Sequence, residues 1–197
     1  MSRKRTRAVD ATAEGPWLDP AEERCRLLLF GLPDEALLAT GAVAALVLPP
    51  AAIDAAALEV RRRFRLPLLV QGDFAAARAA ELDGVHVAGP EEVAPARQQL
   101  GRERLIGADC GLSRHAAMVA GEAGADYVQF GSLDLAPPGA VTDLVLWWRE
   151  LFVLPCAAAG HVSVAAALAL AVAGAEFLAT RAADVELAQA LRNHGSS

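Results

Sequence analysis

The sequence predicts an α/β fold: a single (β/α)8 TIM barrel whose parallel strands are buried on both faces. Three observations predict it. Short apolar runs follow Ala-rich stretches of helical period again and again along the chain. Those runs are apolar at consecutive positions, as a strand covered on both faces requires. Eight such units fit within residues 25–193, a length that suits one domain with one core.

Taken in order, the strands are read at Arg26–Leu32, Leu46–Leu48, Leu66–Gln71, Gly84–Val87, Leu105–Cys110, Tyr127–Gly131, Leu154–Ala159 and Phe177–Arg181. Helices fill the gaps near 34–41, 51–64, 73–82, 91–100, 113–123, 142–151, 163–173 and 184–193. Start and stop signals support several of them. Asp34 follows Pro33, Ser113 precedes an Ala-rich run, and Gly101 and Gly174 follow helix ends. The first helix is short, so the barrel is trimmed. An open doubly wound sheet is the alternative. It wants a Gly-rich turn after the first strand, and Phe30-Gly31-Leu32-Pro33 lacks the G-x-G-x-x-G pattern. Chemistry in a barrel belongs at the C-terminal ends of the strands.

Composition narrows the function classes. Hydrophobic residues make up 54% and charged residues 21%, which excludes disordered and fibrous classes. A formal charge of −6 argues against nucleic acid as a partner and suits a cytoplasmic protein. No apolar run reaches the ~18 residues of a membrane helix, so a membrane partner is not expected either. The opening Met1-Ser2-Arg3-Lys4-Arg5-Thr6-Arg7 is basic without an apolar signal core, and residues 1–24 are read as a flexible tail. Cys25, Cys110 and Cys156 lack metal-ligand spacing and are read as reduced, buried thiols. His86, His115, His161 and His194 are not spaced as a zinc site.

Four motifs stand out: Asp83-Gly84-Val85-His86, Gly124-Ala125-Asp126-Tyr127-Val128, the run Pro155 to Gly160, and Ala173-Gly174-Ala175-Glu176. On them the chain resembles the thiamine phosphate synthase/TenI family over roughly residues 25–185. The resemblance implies a barrel in thiamine metabolism, small phosphorylated ligands and a homo-oligomer. Synthases of that family join a pyrimidine diphosphate to a thiazole phosphate with Mg2+. A departing diphosphate needs cations around it, and a bound phosphate needs N–H donors at the last strands.

The chain departs from that pattern on the diphosphate side. The family's Gln, Arg and Lys at the end of strand two are replaced by Val47-Leu48-Pro49-Pro50. Its Asn-Asp after strand three is Gln71-Gly72, with Asp73 one place later. Asp109-Cys110-Gly111 follows strand five, Ser132 to Gly139 contains no Lys, and the chain's only Lys is Lys4. If synthase activity is retained, Mg2+ is implied, with Asp73, Glu91 and Asp109 as candidate ligands. The other reading of Asp73 and Asp109 is helix capping.

The phosphate side is better kept. Gly160 falls on the family's phosphate glycine, and His161 replaces its partner glycine. Arg181 and Ala182 follow strand eight, and Gln129 and Gly131 end strand six. These six are the candidate substrate- and phosphate-binding residues. Strand alternation turns Gln129 away from Val128 and Phe130, toward the barrel mouth. Arg181 is read either as a phosphate anchor or as an ion-pair partner of Asp184 or Glu186. His86 is the candidate catalytic residue; the alternative is a hydrogen-bonded structural histidine. Trp147 and Trp148, with Leu144, Leu151 and Phe152, form a stripe read as core or subunit interface. Asp83 and Asp126 precede strands at the opposite end, where stability is the expected role.

The function expected is a divergent family member that binds a thiazole phosphate-like ligand, its synthase site largely degenerate. Three alternatives stay open: an active synthase with displaced metal ligands, a non-catalytic regulatory or partner-binding barrel, and a TenI-type thiazole aromatase using His86 or His161.

Overall fold

The computed structural model describes residues 25–135, 139–161 and 163–194. The tail expected at 1–24 and the Ala136-Pro137-Pro138 stretch lie outside the described residues. Eight strands, β1 (Arg26–Leu29), β2 (Val43–Leu48), β3 (Leu68–Gln71), β4 (Gly84–Val87), β5 (Leu105–Asp109), β6 (Tyr127–Gly131), β7 (Cys156–Ala159) and β8 (Phe177–Thr180), form a closed parallel barrel in sequence order. The ring closes where Leu28 of β1 sits beside Ala179 of β8. The helices are α1 (Glu35–Ala39), α2 (Ala55–Phe64), α3 (Phe74–Ala79), α4 (Val93–Leu100), α5 (Arg114–Glu122), α6 (Gly139–Leu151), α7 (Val164–Ala173) and α8 (Val185–His194).

The boundaries differ from the sequence reading in instructive ways. β2 starts at Val43 rather than Leu46, because Ala44 and Ala45 belong to the strand; small apolar residues carry little β signal of their own. β1 ends at Leu29 rather than Leu32. The stretches expected as helices from 51 and 91 open with 3-10 turns, Pro50–Ala52 and Pro90–Glu92, each with proline at the first position. Among the described residues no helix is long and apolar enough to cross a membrane.

Two apolar layers hold the barrel. One lies between strands and helices and includes Val85, Ile106, Val128, Phe130 and Trp148. The other fills the interior with Leu28, Phe30, Val47, Leu69, Tyr127 and Phe177. Trp148 is therefore a core residue. It stacks on Phe152 with centroids 4.0 Å apart, and its indole N–H donates to the Leu154 carbonyl at 2.7 Å. Trp147 is half-buried beneath the Arg114 guanidinium.

The closed end repeats one device. The acid just before an even-numbered strand accepts an N–H near the start of the preceding strand, and an arginine from an even-numbered helix binds the same carboxylate. Asp83 takes the Leu68 N–H and Arg61, Asp126 takes the Ile106 N–H and Arg97, and Glu176 takes the Cys156 N–H and Arg149. Before β2 the place is held by Thr40, whose hydroxyl accepts the Ala42 N–H while Arg192 of α8 donates to its carbonyl. These clamps satisfy backbone donors that the barrel would otherwise leave bare. They bear out the structural role expected for Asp83 and Asp126.

Candidate functional site

The opposite end, where the strands finish, collects the candidate residues. Its chemistry is set by an imbalance of charge. Arg181 is the only Arg or Lys in the described strand-to-helix loops at this end, against Asp34, Asp54, Asp73, Glu91, Glu92, Asp134 and Asp184. Four of those acids are helix N-caps: Asp34 accepts from Leu37 N, Asp54 from Ala57 N, Asp73 from Ala76 N and Asp184 from Leu187 N, all at 2.8–2.9 Å. Capping satisfies helix donors and meets the positive end of the helix dipole.

The metal candidates do not converge. Asp73 is committed to its cap, Glu91 is exposed with its carboxylate folded over Gly89, and Asp109 accepts the Gly111 N–H at 2.9 Å. Among the described residues no three His, Cys, Asp or Glu side chains lie close enough to hold an ion together. The donor set as arranged does not fit Mg2+. Burial pushes the Asp109 carboxyl above its ordinary range, which further weakens its claim as an anionic ligand.

His86 is buried inside the barrel. Its Nδ1 lies 2.8 Å from the Tyr127 hydroxyl, and Phe30 meets its ring edge-on at 4.9 Å. Burial lowers its pKa to about 3 and raises that of Tyr127. The imidazole is neutral at physiological pH and a weak base, so its placement is that of a hydrogen-bonded interior histidine. Tyr127 depends on Gly107, its neighbour in register on β5, where a Cβ would overlap the tyrosine ring and hydroxyl. The sequence reading missed this pair, although period-two alternation already put Tyr127 on the face of Gln129.

Gln129 faces the interior as expected, fully buried between Asp109 of β5 and Ala157 of β7 in register. Neither polar atom of its carboxamide has a hydrogen-bond partner. Gly131 follows at φ +97°, and a Cβ there would lie 2.6 Å from the Ala159 carbonyl oxygen, so only glycine fits this turn out of β6.

The candidate phosphate donors are brought together, but each is already engaged. Gly160 N–H donates to Ala179 O, and Ala182 N–H to the Thr180 hydroxyl. His161 N–H donates to Leu135 O at 3.0 Å, and Arg181 Nε to Asp134 Oδ1 at 3.1 Å. The ion pair of Arg181 is thus with Asp134, across the mouth, rather than with Asp184 or Glu186; Asp184 is held by its cap. Leu133 of the same β6–α6 loop packs on the interior cluster. The loop thus offers a carboxylate from Asp134 to Arg181 and a carbonyl from Leu135 to the His161 N–H, beside the ends of β7 and β8.

The three thiols play no part here. Burial pushes Cys25 and Cys110 up to about 12 and raises Cys156 as well, so none is a nucleophile at neutral pH.

Comparison with known proteins agrees with this architecture. Residues 51–183 match the family model described as thiamine monophosphate synthase. A thiamine-phosphate synthase from Erythrobacter litoralis is 42% identical over 126 residues, covering 58% of each chain. One from Rhodospirillum centenum is 44% identical over 106 residues, covering 49% of this chain and 50% of its own. The matched stretch thus spans between half and three-fifths of those relatives. In three dimensions the barrel is similar to a thiamine phosphate pyrophosphorylase from Pyrococcus furiosus, with a TM-score of 0.66 and 20% identity over 90% of this chain and 98% of that one. The family model covers well over half of the sequence, and the chain belongs to the thiamine monophosphate synthase/TenI family.

Proposed function

We propose that this protein is a divergent member of its family that binds a small phosphorylated ligand of the thiazole phosphate type and has lost most of the synthase site. One observation carries the reading. The only cation of the described mouth loops, Arg181, follows β8, the strand paired with β7 and its Gly160 and His161, while the side that would face a diphosphate holds carboxylates and no Lys or Arg. A single guanidinium suits a monophosphate; a departing diphosphate among unbridged carboxylates is repelled. The phosphate enters by exchanging with the Asp134 carboxylate on Arg181 and the Leu135 carbonyl on the His161 N–H.

A second reading, an active synthase with displaced ligands, is supported by the 42% identity to a curated thiamine-phosphate synthase. Incubation with pyrimidine diphosphate, thiazole phosphate and Mg2+, with thiamine phosphate read by fluorescence, decides between them. No product, together with a higher melting temperature in thiazole phosphate that Arg181→Ala abolishes, is the expected result. Product at enzyme-like rates overturns the first reading in favour of the second.

A further inference from the structure

The outer faces of α5 and α6 leave apolar side chains on the surface. On α5, Arg114, Met118 and Glu122 recur every fourth residue, so they form one stripe along the helix, and all three are exposed. Beside it, α6 presents Trp147 and, one turn on, the exposed Leu151. The two helices meet where the Arg114 guanidinium lies 4.7 Å over the Trp147 ring. Val153 follows α6 fully exposed, and its neighbour Leu154 reaches the backbone of α5 at Gly121. Single exposed apolar residues are ordinary, but a contiguous strip bordered by charge marks an interaction site.

The charges at its ends identify the occupant. Arg114 stands at the mouth end of the stripe, Glu122 at the other end, and Met118 midway between them. Among the described residues neither Arg114 nor Glu122 has an ion-pair partner. A two-fold axis through Met118 reverses the stripe and sets each Arg114 against the Glu122 of the other copy. The stripe is therefore complementary to itself, which is what a two-fold interface requires.

We propose that this face of α5, edged by Trp147 and Leu151 of α6, is the contact surface for a second copy of this chain, packed antiparallel about a two-fold axis at Met118. The two Met118 side chains meet on the axis, and the apolar edge of α6 flanks them. Arg114 and Glu122 pair reciprocally, the two pairs lying about 12 Å apart along the helix. Because α5 runs from the mouth toward the closed end, the two mouths point in opposite directions and neither is covered. The proposal does not depend on what the mouth binds.

The test measures self-association of the full chain by sedimentation velocity over a dilution series. Wild type is expected to be a dimer that dissociates on dilution, and more readily at high salt. Arg114→Glu sets like charges together at both ends of the contact, and so does Glu122→Arg. Each variant alone is expected to weaken the dimer at least ~10-fold. Mixing the two variants restores both ion pairs in the mixed dimer, and association is expected to return to near the wild-type level. Recovery on mixing cannot come from a folding defect in either variant. Met118→Glu, which puts two carboxylates on the axis, is expected to be monomeric with an unchanged far-UV circular dichroism spectrum. A wild type that stays monomeric throughout the series overturns the proposal and leaves the stripe to a different partner. So does a dimer that both charge variants keep at wild-type strength, or a mixture that associates no better than its components.

Discussion

Arg97 Nη2 lies 2.7 Å from Asp126 Oδ2, and that same oxygen accepts the Ile106 N–H at 2.7 Å. One carboxylate thus joins α4, β5 and the start of β6 at the closed end. Desolvation raises the Asp126 carboxyl above its ordinary range despite the arginine, so burial outweighs attraction here. Its value lies in satisfying donors. Asp126→Ala, which strands the Ile106 N–H and leaves the Arg97 guanidinium with only the carbonyls of Gly101, Arg104 and Gly124 as partners, is expected to cost about 1–3 kcal/mol in urea denaturation. Arg149→Ala, at the more exposed copy of the clamp, is expected to cost less than about 1 kcal/mol.

Gly107 sits where any side chain meets the Tyr127 ring and hydroxyl. Gly107→Ala therefore displaces Tyr127 and breaks its bond to His86. A loss of about 3 kcal/mol or more is expected by thermal or chemical unfolding. Combining it with Tyr127→Ala removes the clash, so the double variant is expected to be less destabilised than the sum of the two singles.

Stability is expected to fall on acidification, and His86 accounts for part of the slope. Its folded pKa is lowered to about 3 by burial, below the ordinary 6.5. Between those values the unfolded chain takes a proton that the folded chain refuses. Stability from His86 is complete above the ordinary pKa and is lost as pH falls toward the folded one. The slope it contributes is about 1.4 kcal/mol per pH unit in the middle of that window. His86→Phe is expected to flatten the unfolding free energy against pH over the same range; an unchanged slope would falsify the assignment.

Asp134 competes for Arg181 across the mouth. Asp134→Ala is expected to raise affinity for thiazole phosphate by at most about fivefold, the scale of an exposed ion pair. Thermal shift and calorimetry check it. Lower affinity would mean that the β6–α6 loop assists the phosphate instead of standing in for it.

Much of the fold was legible because it depends on local pattern. Consecutive apolar residues at Leu27–Leu29 and Leu68–Val70 fix strands buried on both faces, and Asp34 and Ser113 mark helix starts by the same capping seen in the structure. β2 was read too short because alanine signals neither helix nor strand strongly at Ala44 and Ala45. At the site, alternation correctly turned Gln129 inward. It said nothing of what lies across the barrel, so the tie between His86 and Tyr127 and the cradle at Gly107 were not visible.

The amino-acid sequence alone determined the βα repeat, the barrel class, the family likeness and the shortage of cations near the mouth. These follow from periodicity, capping and residue type, which act within a few positions along the chain. The tertiary structure decided who partners whom. It set Arg181 on Asp134, tied His86 to Tyr127 and left Gln129 sealed without a partner. Such contacts join residues up to 47 positions apart, and closing the barrel, not local propensity, brings them within reach.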